Sequence, residues 1–312
     1  MNLKIFILPI LILIVAISGC VGGTQPSNVS GYGAAILNFA PDVDTVYSGK
    51  TVKLSAVIEN QGESVIYNKS SIVYLIGSNL VEGESTSGQW NVSSFYVYLN
   101  KDLNPADPVK GTLPGSKEIK YTVYAPTLSK GESKSDTFTL RFYYLYNTKV
   151  DTNAWVYSEA EAAALKAAGK SLELPSTKYT KGPLEVEVSY APSSPIVSST
   201  DNTFTMYITI KNVGGGTVFN LGMQPSDPKN IVNSVTEDKL HKVDVTIQPA
   251  PGITITGCEG EQELIQGKSV KLTCDVTVNE IPSTKKGLTS TILIDYGYYI
   301  DSEPIKLTAL GK

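Results

Sequence analysis

The stretch that decides the fold occurs twice in the chain. AILNFAPDVDTVYSGKTVKLSAVIENQG covers residues 35–62, and VEVSYAPSSPIVSSTDNTFTMYITIKNVG covers residues 186–214. In both copies a short apolar segment ends in aromatic-Ala-Pro, a polar turn follows, and an alternating segment closes with Asn-x-Gly. Alternation of apolar and polar residues is typical of an antiparallel strand with one face on a core. The repeat therefore predicts two similar antiparallel β-sandwiches.

The composition also favours an all-β protein. The 312 residues include 18 tyrosines, and Gly, Pro and Asn interrupt Val- and Thr-rich runs throughout. This length is sufficient for two domains, each with its own core. The net charge is −4 and basic runs are absent, so the sequence gives no electrostatic footprint for nucleic acid.

The phrase IKNVGGGTVFNLG (residues 210–222) resembles the immunoglobulin-like modules of archaeal surface proteins, the group that includes CARDB-type adhesion-related domains. The resemblance covers nearly the whole chain after residue 33 and implies architecture rather than activity. The Cys-Trp-Cys spacing of antibody domains is absent. We expect an all-β fold of two tandem Ig-like antiparallel β-sandwiches, with domain 1 at residues 34–157 and domain 2 at residues 184–312.

The N-terminus has the three parts of an export signal: Lys4, an apolar run at residues 5–17, and small residues before Cys20. The run is shorter than the ~20 residues that a membrane-spanning helix needs. The sequence Ile-Ser-Gly-Cys that ends at Cys20 resembles the lipobox of secreted lipoproteins, in which the cysteine is lipidated and becomes the new N-terminus.

The lipobox resemblance implies a signal peptide at residues 1–19, a flexible tether at residues 20–33, and a protein anchored through lipid to the outer face of the cell membrane. An ordinary cleaved signal and an uncleaved membrane helix are the alternatives. Three Asn-x-Ser sequons, at Asn28, Asn68 and Asn91, are candidate N-glycosylation sites on such an exterior protein.

If Cys20 carries lipid, two cysteines remain, Cys258 and Cys274. An even number of cysteines in an oxidising compartment favours a disulfide. Two β-rich runs flank the polar loop between them, and an antiparallel hairpin would place them side by side. We predict a disulfide, which should stabilise the fold by roughly 3 kcal/mol in the chain-entropy model. The alternative is two buried free thiols.

A helix is predicted between the two halves, in a helix-and-linker segment at residues 158–183. Ser158 followed by Glu161 fits a capping box, alanines fill the interior, and Gly169 fits the C-terminal stop. Leu165 is the one large apolar residue of this helix, so it should bury little. Residues 176–183 are predicted to be the linker.

No catalytic motif is recognisable. The Gly-Lys-Thr and Gly-Lys-Ser triplets at residues 49–51 and 267–269 lack the first glycine of a phosphate loop and precede alternating segments, so they are predicted to be turns. His241 is the single histidine and is predicted to be solvated. We expect a non-enzyme without cofactors, although paired carboxylates of a hydrolase cannot be recognised from sequence.

A calcium site is a weaker hypothesis. The loop KDLNPADPVKG offers oxygen ligands at Asp102, Asn104 and Asp107, but it lacks the spacing and closing Glu of an EF-hand.

The tyrosine clusters are the remaining candidates for a functional site. Tyrosines displayed on a sheet can stack on sugar rings or contact a protein, with the hydroxyl as a polar handle. The alternative is that they fill the core and cover strand faces. The candidate aromatic binding surface comprises Tyr143, Tyr144, Tyr146, Tyr296, Tyr298 and Tyr299.

We therefore expect a lipid-anchored cell-surface protein with a structural, adhesive or ligand-presenting role, whose partners are the membrane and other surface proteins or glycans. The alternatives are an extracytoplasmic substrate-binding or accessory subunit of a membrane complex and, third, a surface hydrolase.

Overall fold

A computed structural model describes residues 32–83, 88–192, 196–198, 202–222, 225–280 and 282–312. The fold is all-β, as predicted. The strands of the first half are β1 (Ala34–Pro41), β2 (Thr45–Tyr47), β3 (Thr51–Asn60), β4 (Ser71–Gly77), β5 (Leu80–Glu82), β6 (Trp90–Val92), β7 (Tyr96–Tyr98), β8 (Ser116–Tyr124) and β9 (Ser133–Ser158).

The second half begins after helix α1 (Glu159–Ala167) and contains helix α2 (Lys229–Ser234). Its strands are β10 (Ser176–Tyr179), β11 (Leu184–Ala191), β12 (Ile196–Ser198), β13 (Thr203–Asn212), β14 (Thr217–Phe219), β15 (Lys242–Pro249), β16 (Ile253–Thr256), β17 (Gly260–Glu263), β18 (Ser269–Val278), β19 (Lys285–Asp301) and β20 (Ile305–Leu310). No helix in the described parts of the chain is long and apolar enough to span a membrane.

The described strands form three sheets. A five-stranded sheet has the order β1-β3-β8-β6-β5, a four-stranded sheet has the order β11-β13-β18-β16, and the other eleven strands form one long sheet. The repeated alternating segments are β3 and β13, and each has one face on a core, as the alternation predicts. The buried side chains are Val52, Leu54, Ala56 and Ile58 on β3, and Phe204, Met206, Ile208 and Ile210 on β13.

The centre of the long sheet is the antiparallel pair β9 and β19. The pairing runs without interruption from Lys285 opposite Tyr157 to Asp301 opposite Arg141. Strand β20 then pairs with the first residues of β9, down to Leu310 opposite Ser133. Two strands therefore run through both halves of the molecule.

The two halves share this sheet. The predicted domains, residues 34–157 and 184–312, therefore do not have separate sheets. The second part of β9 pairs with β10, β12 and β19, whereas β20, at the end of the chain, pairs with β9 and β2 of the first half. The alternating pattern identifies strands but carries no information about which strands pair.

Two local predictions fail for the same reason. From the sequence alone, residues 137–156 are predicted to form a tyrosine-rich strand, a short turn and a final strand. The structure instead has one continuous strand, because β20 and β4 pair with the first part of β9 and β19 pairs with residues 141–157. The predicted linker at residues 176–183 contains β10, which pairs with β9. The helix itself is confirmed: the Ser158 hydroxyl accepts a hydrogen bond from the Glu161 amide at 3.2 Å, and none of its residues is buried.

Both smaller sheets pack on the same face of the long sheet. Alternate side chains of β9, from Phe138 to Val156, are buried in one continuous core that includes residues of both smaller sheets. Trp90 packs edge-on against Phe138 near one end of β9. Tyr190 reaches the Thr152 hydroxyl near the other end. Each sandwich therefore uses strand segments from both halves of the sequence.

Four buried tyrosines fill the core where the two sandwiches meet. We call Tyr144, Tyr146, Tyr296 and Tyr298 the tyrosine junction. Their rings contact one another with centroid separations of 5.8–6.4 Å. Burial raises the pKa of each hydroxyl above the ordinary tyrosine value, so all four remain neutral hydrogen-bonding groups.

Residues in and just after the Asn-x-Gly sequences form hydrogen bonds with two tyrosines of this junction. The Tyr298 hydroxyl donates to Asn212 Oδ1 at 2.8 Å and accepts from the Gly216 amide at 2.7 Å. In the first half, the Tyr146 hydroxyl accepts from the Ser64 amide at 3.0 Å. Asn60 and Asn212 each accept from the amide two residues later, that of Gly62 or Gly214. Neither glycine has room for a side chain beside its tyrosine.

The predicted disulfide between Cys258 and Cys274 is confirmed, with 5.1 Å between the two Cα atoms. Cys258 follows β16, and Cys274 lies on β18, the antiparallel neighbour of β16. The intervening loop is more elaborate than a hairpin, because β17 leaves this sheet to pair with β15 of the long sheet. The disulfide therefore closes a segment that connects both layers of the second sandwich.

We predict that Tyr146→Phe and Tyr298→Phe each lower the free energy of unfolding by about 1–3 kcal/mol, because each leaves partly buried polar groups without their partner. Chemical denaturation of the soluble chain measures this. Tyr124→Phe, which changes an exposed tyrosine, is the control and should have an effect below about 0.5 kcal/mol. Equal stability of all three variants would contradict a structural role for the junction hydroxyls.

Candidate functional site

The six tyrosines of the predicted aromatic surface do not form such a surface. Five of them are at most 5% exposed: four belong to the tyrosine junction, and Tyr143 is buried on the opposite face of the long sheet. Tyr143 packs there with Ile72, Phe219 and Ile231, the last of which is supplied by α2. The prediction fails because four of these tyrosines face the core between the sheets, while Phe219 and Ile231 cover the outer face around Tyr143. Alternation alone does not indicate which face of a strand is covered.

Tyr299 is the sixth and is half-buried on that same outer face. The Arg141 guanidinium lies 4.2 Å from its ring centroid and also forms two hydrogen bonds with the Asp301 carboxylate, at 2.6 and 2.7 Å. This arrangement binds the two central strands together at a cross-strand position.

The most promising site is a cavity on the outer face, directly over the region where the two sandwiches meet. We call it the junction cavity; its volume is about 330 Å³. Its floor is formed by β9, β15 and β19, and its walls are residues 65–70 of the first half and residues 220–222 of the second half. The full lining comprises Val65, Tyr67, Ser70, Leu145, Tyr146, Asn147, Asn220, Leu221, Gly222, Asp244, Asp295, Tyr296 and Gly297.

Two carboxylates lie side by side in the floor. Asp244 of β15 is directly opposite Asp295 of β19, and Asn147 of β9 is opposite Asp295 on its other side. Desolvation, followed by the charge of Asp244, raises the pKa of Asp295 above the ordinary carboxyl value. Among the residues that the structure describes, no hydrogen bond or ion pair engages either carboxylate. The nearby Lys242 instead pairs with Glu261 at 2.9 Å.

Two amides in the lining are held in defined orientations. The Ser64 hydroxyl donates to Asn147 Oδ1 at 3.0 Å, which leaves the Asn147 amide group available as a donor. Asn220 donates to Glu261 at 3.2 Å and accepts from the Gly222 amide at 2.9 Å. Asn220 is 8% exposed, so these bonds fix the wall that it belongs to.

An exposed aromatic ring stands at the rim of the cavity. Tyr67 is 55% exposed. Another exposed tyrosine, Tyr98, lines a neighbouring cavity of about 640 Å³ and its hydroxyl donates to the Asp227 carboxylate of the second half at 3.2 Å. Tyr67 and Tyr98 are thus the exposed tyrosines of these two cavities, and neither was among the six residues of the predicted aromatic surface.

The calcium hypothesis gains no support from the loop geometry. The Asp102 carboxylate accepts a hydrogen bond from the Asn68 amide at 2.8 Å. Asp107 pairs with Lys110 at 3.1 Å and accepts from the backbone of its own turn, and these contacts lower its pKa. The Asn104 carbonyl accepts from Gly115. In the described parts of the chain no three Asp, Glu, His or Cys side chains are placed to share a metal ion.

The other predicted positions that the structure describes do not line the junction cavity. Asn68 is half-buried and lines the neighbouring cavity, and Asn91 is half-buried on β6. Cys20 and Asn28 lie outside the described residues. The two Gly-Lys triplets lead into β3 and β18, as predicted.

His241 was predicted to be solvated, but it is half-buried. Its Nδ1 atom is buried without a hydrogen-bond partner among the described residues, and the ring packs against Gly267, where a side chain would not fit. Its backbone lies in the left-handed region, with φ of 62°. The local chain path turns the ring inward, and this could not be inferred from its neighbours in sequence.

No protein-family model matches the chain, and no curated protein sequence matches it. Among solved structures, it is similar to Escherichia coli alpha-2-macroglobulin activated by porcine elastase, with a TM-score of 0.22, 9% identity, and coverage of 89% of this chain and 33% of the other. The chain thus spans about a third of that protein.

Two further similarities are comparably distant. One is to Spo0M, a sporulation control protein from Bacillus subtilis, with a TM-score of 0.19, 8% identity, and coverage of 59% and 69% of the two chains. The other is to the collagen adhesin CNA of S. aureus, with a TM-score of 0.12, 7% identity, and coverage of 91% and 94%. At these TM-scores the similarities carry no argument about the site.

We predict that Asp295→Asn raises the stability of the protein at neutral pH. Because folding raises the pKa of Asp295, its ionisation costs stability; this cost is fully present above the folded-state pKa and disappears below the ordinary carboxyl pKa of ~4. The gain should be roughly 0.2–1 kcal/mol at pH 7, the range for cross-strand charge pairs, and vanish near pH ~3.

Thermal melts of both proteins at several pH values measure this. Asp151→Asn is the matched control, because Lys149 and Thr291 lower the pKa of Asp151 and its ionisation should favour folding. An Asp295→Asn protein that is less stable than the parent at pH 7, or whose gain does not depend on pH, would count against the like-charge pair.

Proposed function

We propose that this chain is an extracytoplasmic binding protein, anchored by lipid to the outer face of the cell membrane, with an adhesive or ligand-presenting role and no catalytic activity. The observation that carries the binding role is the junction cavity, in which loops of both halves and three central strands meet. Its floor presents the carboxylates of Asp244 and Asp295, which have no hydrogen bond or ion pair among the described residues. Cavities at the meeting point of two structural units are common ligand sites.

Three features of the chain support the exterior location. The Cys258–Cys274 disulfide suits an oxidising compartment. The first 20 residues have the pattern of a lipoprotein export signal. The Asn68 and Asn91 sequons lie on residues that are not fully buried.

A surface glycoside hydrolase is the second candidate, and Asp244 and Asp295 favour it. Directly opposed residues of an antiparallel pair have Cβ atoms about 4.5–5.5 Å apart. Retaining glycosidases hold their two carboxyl groups at about 5–5.5 Å, and a raised pKa suits the general acid.

One experiment separates the two functions. Soluble residues 34–312 are screened for binding to glycans and purified cell-surface proteins, and the same glycans are analysed for cleavage. We expect retention of at least one ligand without turnover. Reproducible cleavage that Asp244→Asn or Asp295→Asn abolishes would overturn the non-catalytic role. Retention of no ligand at all would overturn the binding role.

The anchor has its own test. Replacing Cys20 with serine removes the sulfur that would carry the lipid, so we expect the protein in the medium or as an unprocessed precursor of higher mass. A single acyl chain anchors only marginally, so stable retention requires a lipid with more than one chain. Cell fractionation and intact-mass analysis measure the outcome. Membrane retention and mass that match the wild-type protein would contradict the lipid anchor.

A further inference from the structure

We propose that the junction cavity binds one saccharide unit, held by Asp244, Asp295 and Asn147 and stacked on Tyr67. This deepens the proposed binding function by naming the class of ligand and the residues that hold it.

The cavity offers both acceptors and a donor. The carboxylates of Asp244 and Asp295 can accept hydrogen bonds, and the amide group of Asn147, which donates to no other described residue, can donate. A sugar carries hydroxyl groups that donate and accept at once, so one ligand can satisfy all three side chains. Hydroxyl bonds to carboxylates are also charge-assisted and therefore stronger than neutral ones.

A small cation is the competing ligand for two adjacent carboxylates. An ammonium group or metal ion brings no acceptor, so the Asn147 amide would remain unpaired beside it. The acidic pair alone would accept either ligand, and Asn147 together with Tyr67 favours the saccharide.

The rim supplies an apolar platform. Tyr67 exposes half of its surface, whereas its carbonyl accepts hydrogen bonds from the Ser70 and Ser71 hydroxyls. These contacts fix the backbone while the ring remains open to ligand. The C–H face of a sugar ring can pack on such an aromatic side chain, with the phenol hydroxyl as a polar handle.

The volume of the cavity and the packing of its floor also suit a single saccharide unit. A volume of about 330 Å³ is near the lower end of the range for small-ligand sites, which is about 300–1,000 Å³. Leu145 and Gly297 lie opposite each other in the floor, on the central strand pair, and the Phe219 ring occupies the space that a side chain at residue 297 would need. The floor is therefore packed on its outer face at Gly297 as well as on its core side, next to the polar groups of Asn147 and Asp295.

The test uses soluble residues 34–312 and a panel of neutral disaccharides built from glucose, galactose, mannose and N-acetylhexosamines. Isothermal titration calorimetry gives the dissociation constants. We expect at least one disaccharide to bind, and we expect Asp295→Asn, Asn147→Ala and Tyr67→Ala each to weaken it tenfold or more. Tyr47→Ala, which removes a tyrosine of similar exposure away from the cavity, should bind as the parent does.

Thermal melts of each variant exclude unfolding as the cause of lost binding. Calcium chloride and lysine methyl ester are titrated in parallel. The proposal is overturned if no disaccharide binds, or if these cations bind and Asp295→Asn abolishes their binding while Asn147→Ala does not. Disaccharide binding that none of the cavity variants changes would also overturn it, but would leave the proposed binding function intact.

Discussion

The pairing of β9 with β19 is the constraint on which the rest of the structure depends. A strand with one face on a core cannot shift by one residue without moving its inward side chains to the opposite face. Here such a shift would take four tyrosines out of the core and away from the groups that bond their hydroxyls. Those bonds are necessary because an unpaired buried hydroxyl costs free energy. The register of the strands and the Asn-x-Gly turns of both halves therefore support each other.

This pairing makes the two halves of the chain dependent on each other. The end of β9 completes the sandwich of the second half, and β20 extends the sheet of the first half. A chain with two independent domains would have a mobile junction, because few contacts would cross it. In this protein the junction is the interior of a sheet. The loops at residues 65–70 and 220–222 are consequently held in fixed positions on either side of the junction cavity.

The junction cavity contains two like charges that face each other, whereas several charged side chains elsewhere in the fold form ion pairs. Lys242, which lies beside the cavity, pairs with Glu261, and Arg141 pairs with Asp301 farther along the central strands. Asp244 and Asp295 instead face each other across a strand pair, an arrangement that costs stability. Natural proteins commonly accept such costs at functional sites. The scaffold is rigid enough to hold the two carboxylates together, and a ligand that donates hydrogen bonds would relieve their repulsion.

The sequence by itself determined the all-β class, the repeat, the capped helix at Ser158 and the Cys258–Cys274 disulfide, because each depends on residues close together in the chain or on the count of cysteines. It predicted the inward faces of β3 and β13 correctly, since a half-buried strand alternates. Only the tertiary structure decided that β9 has no turn, that the halves share a sheet, and that the tyrosines of β9 and β19 are covered. The junction cavity was also beyond the sequence, because Tyr67, Asn147, Asp244 and Asp295 meet only through pairing between strands that are distant in the chain.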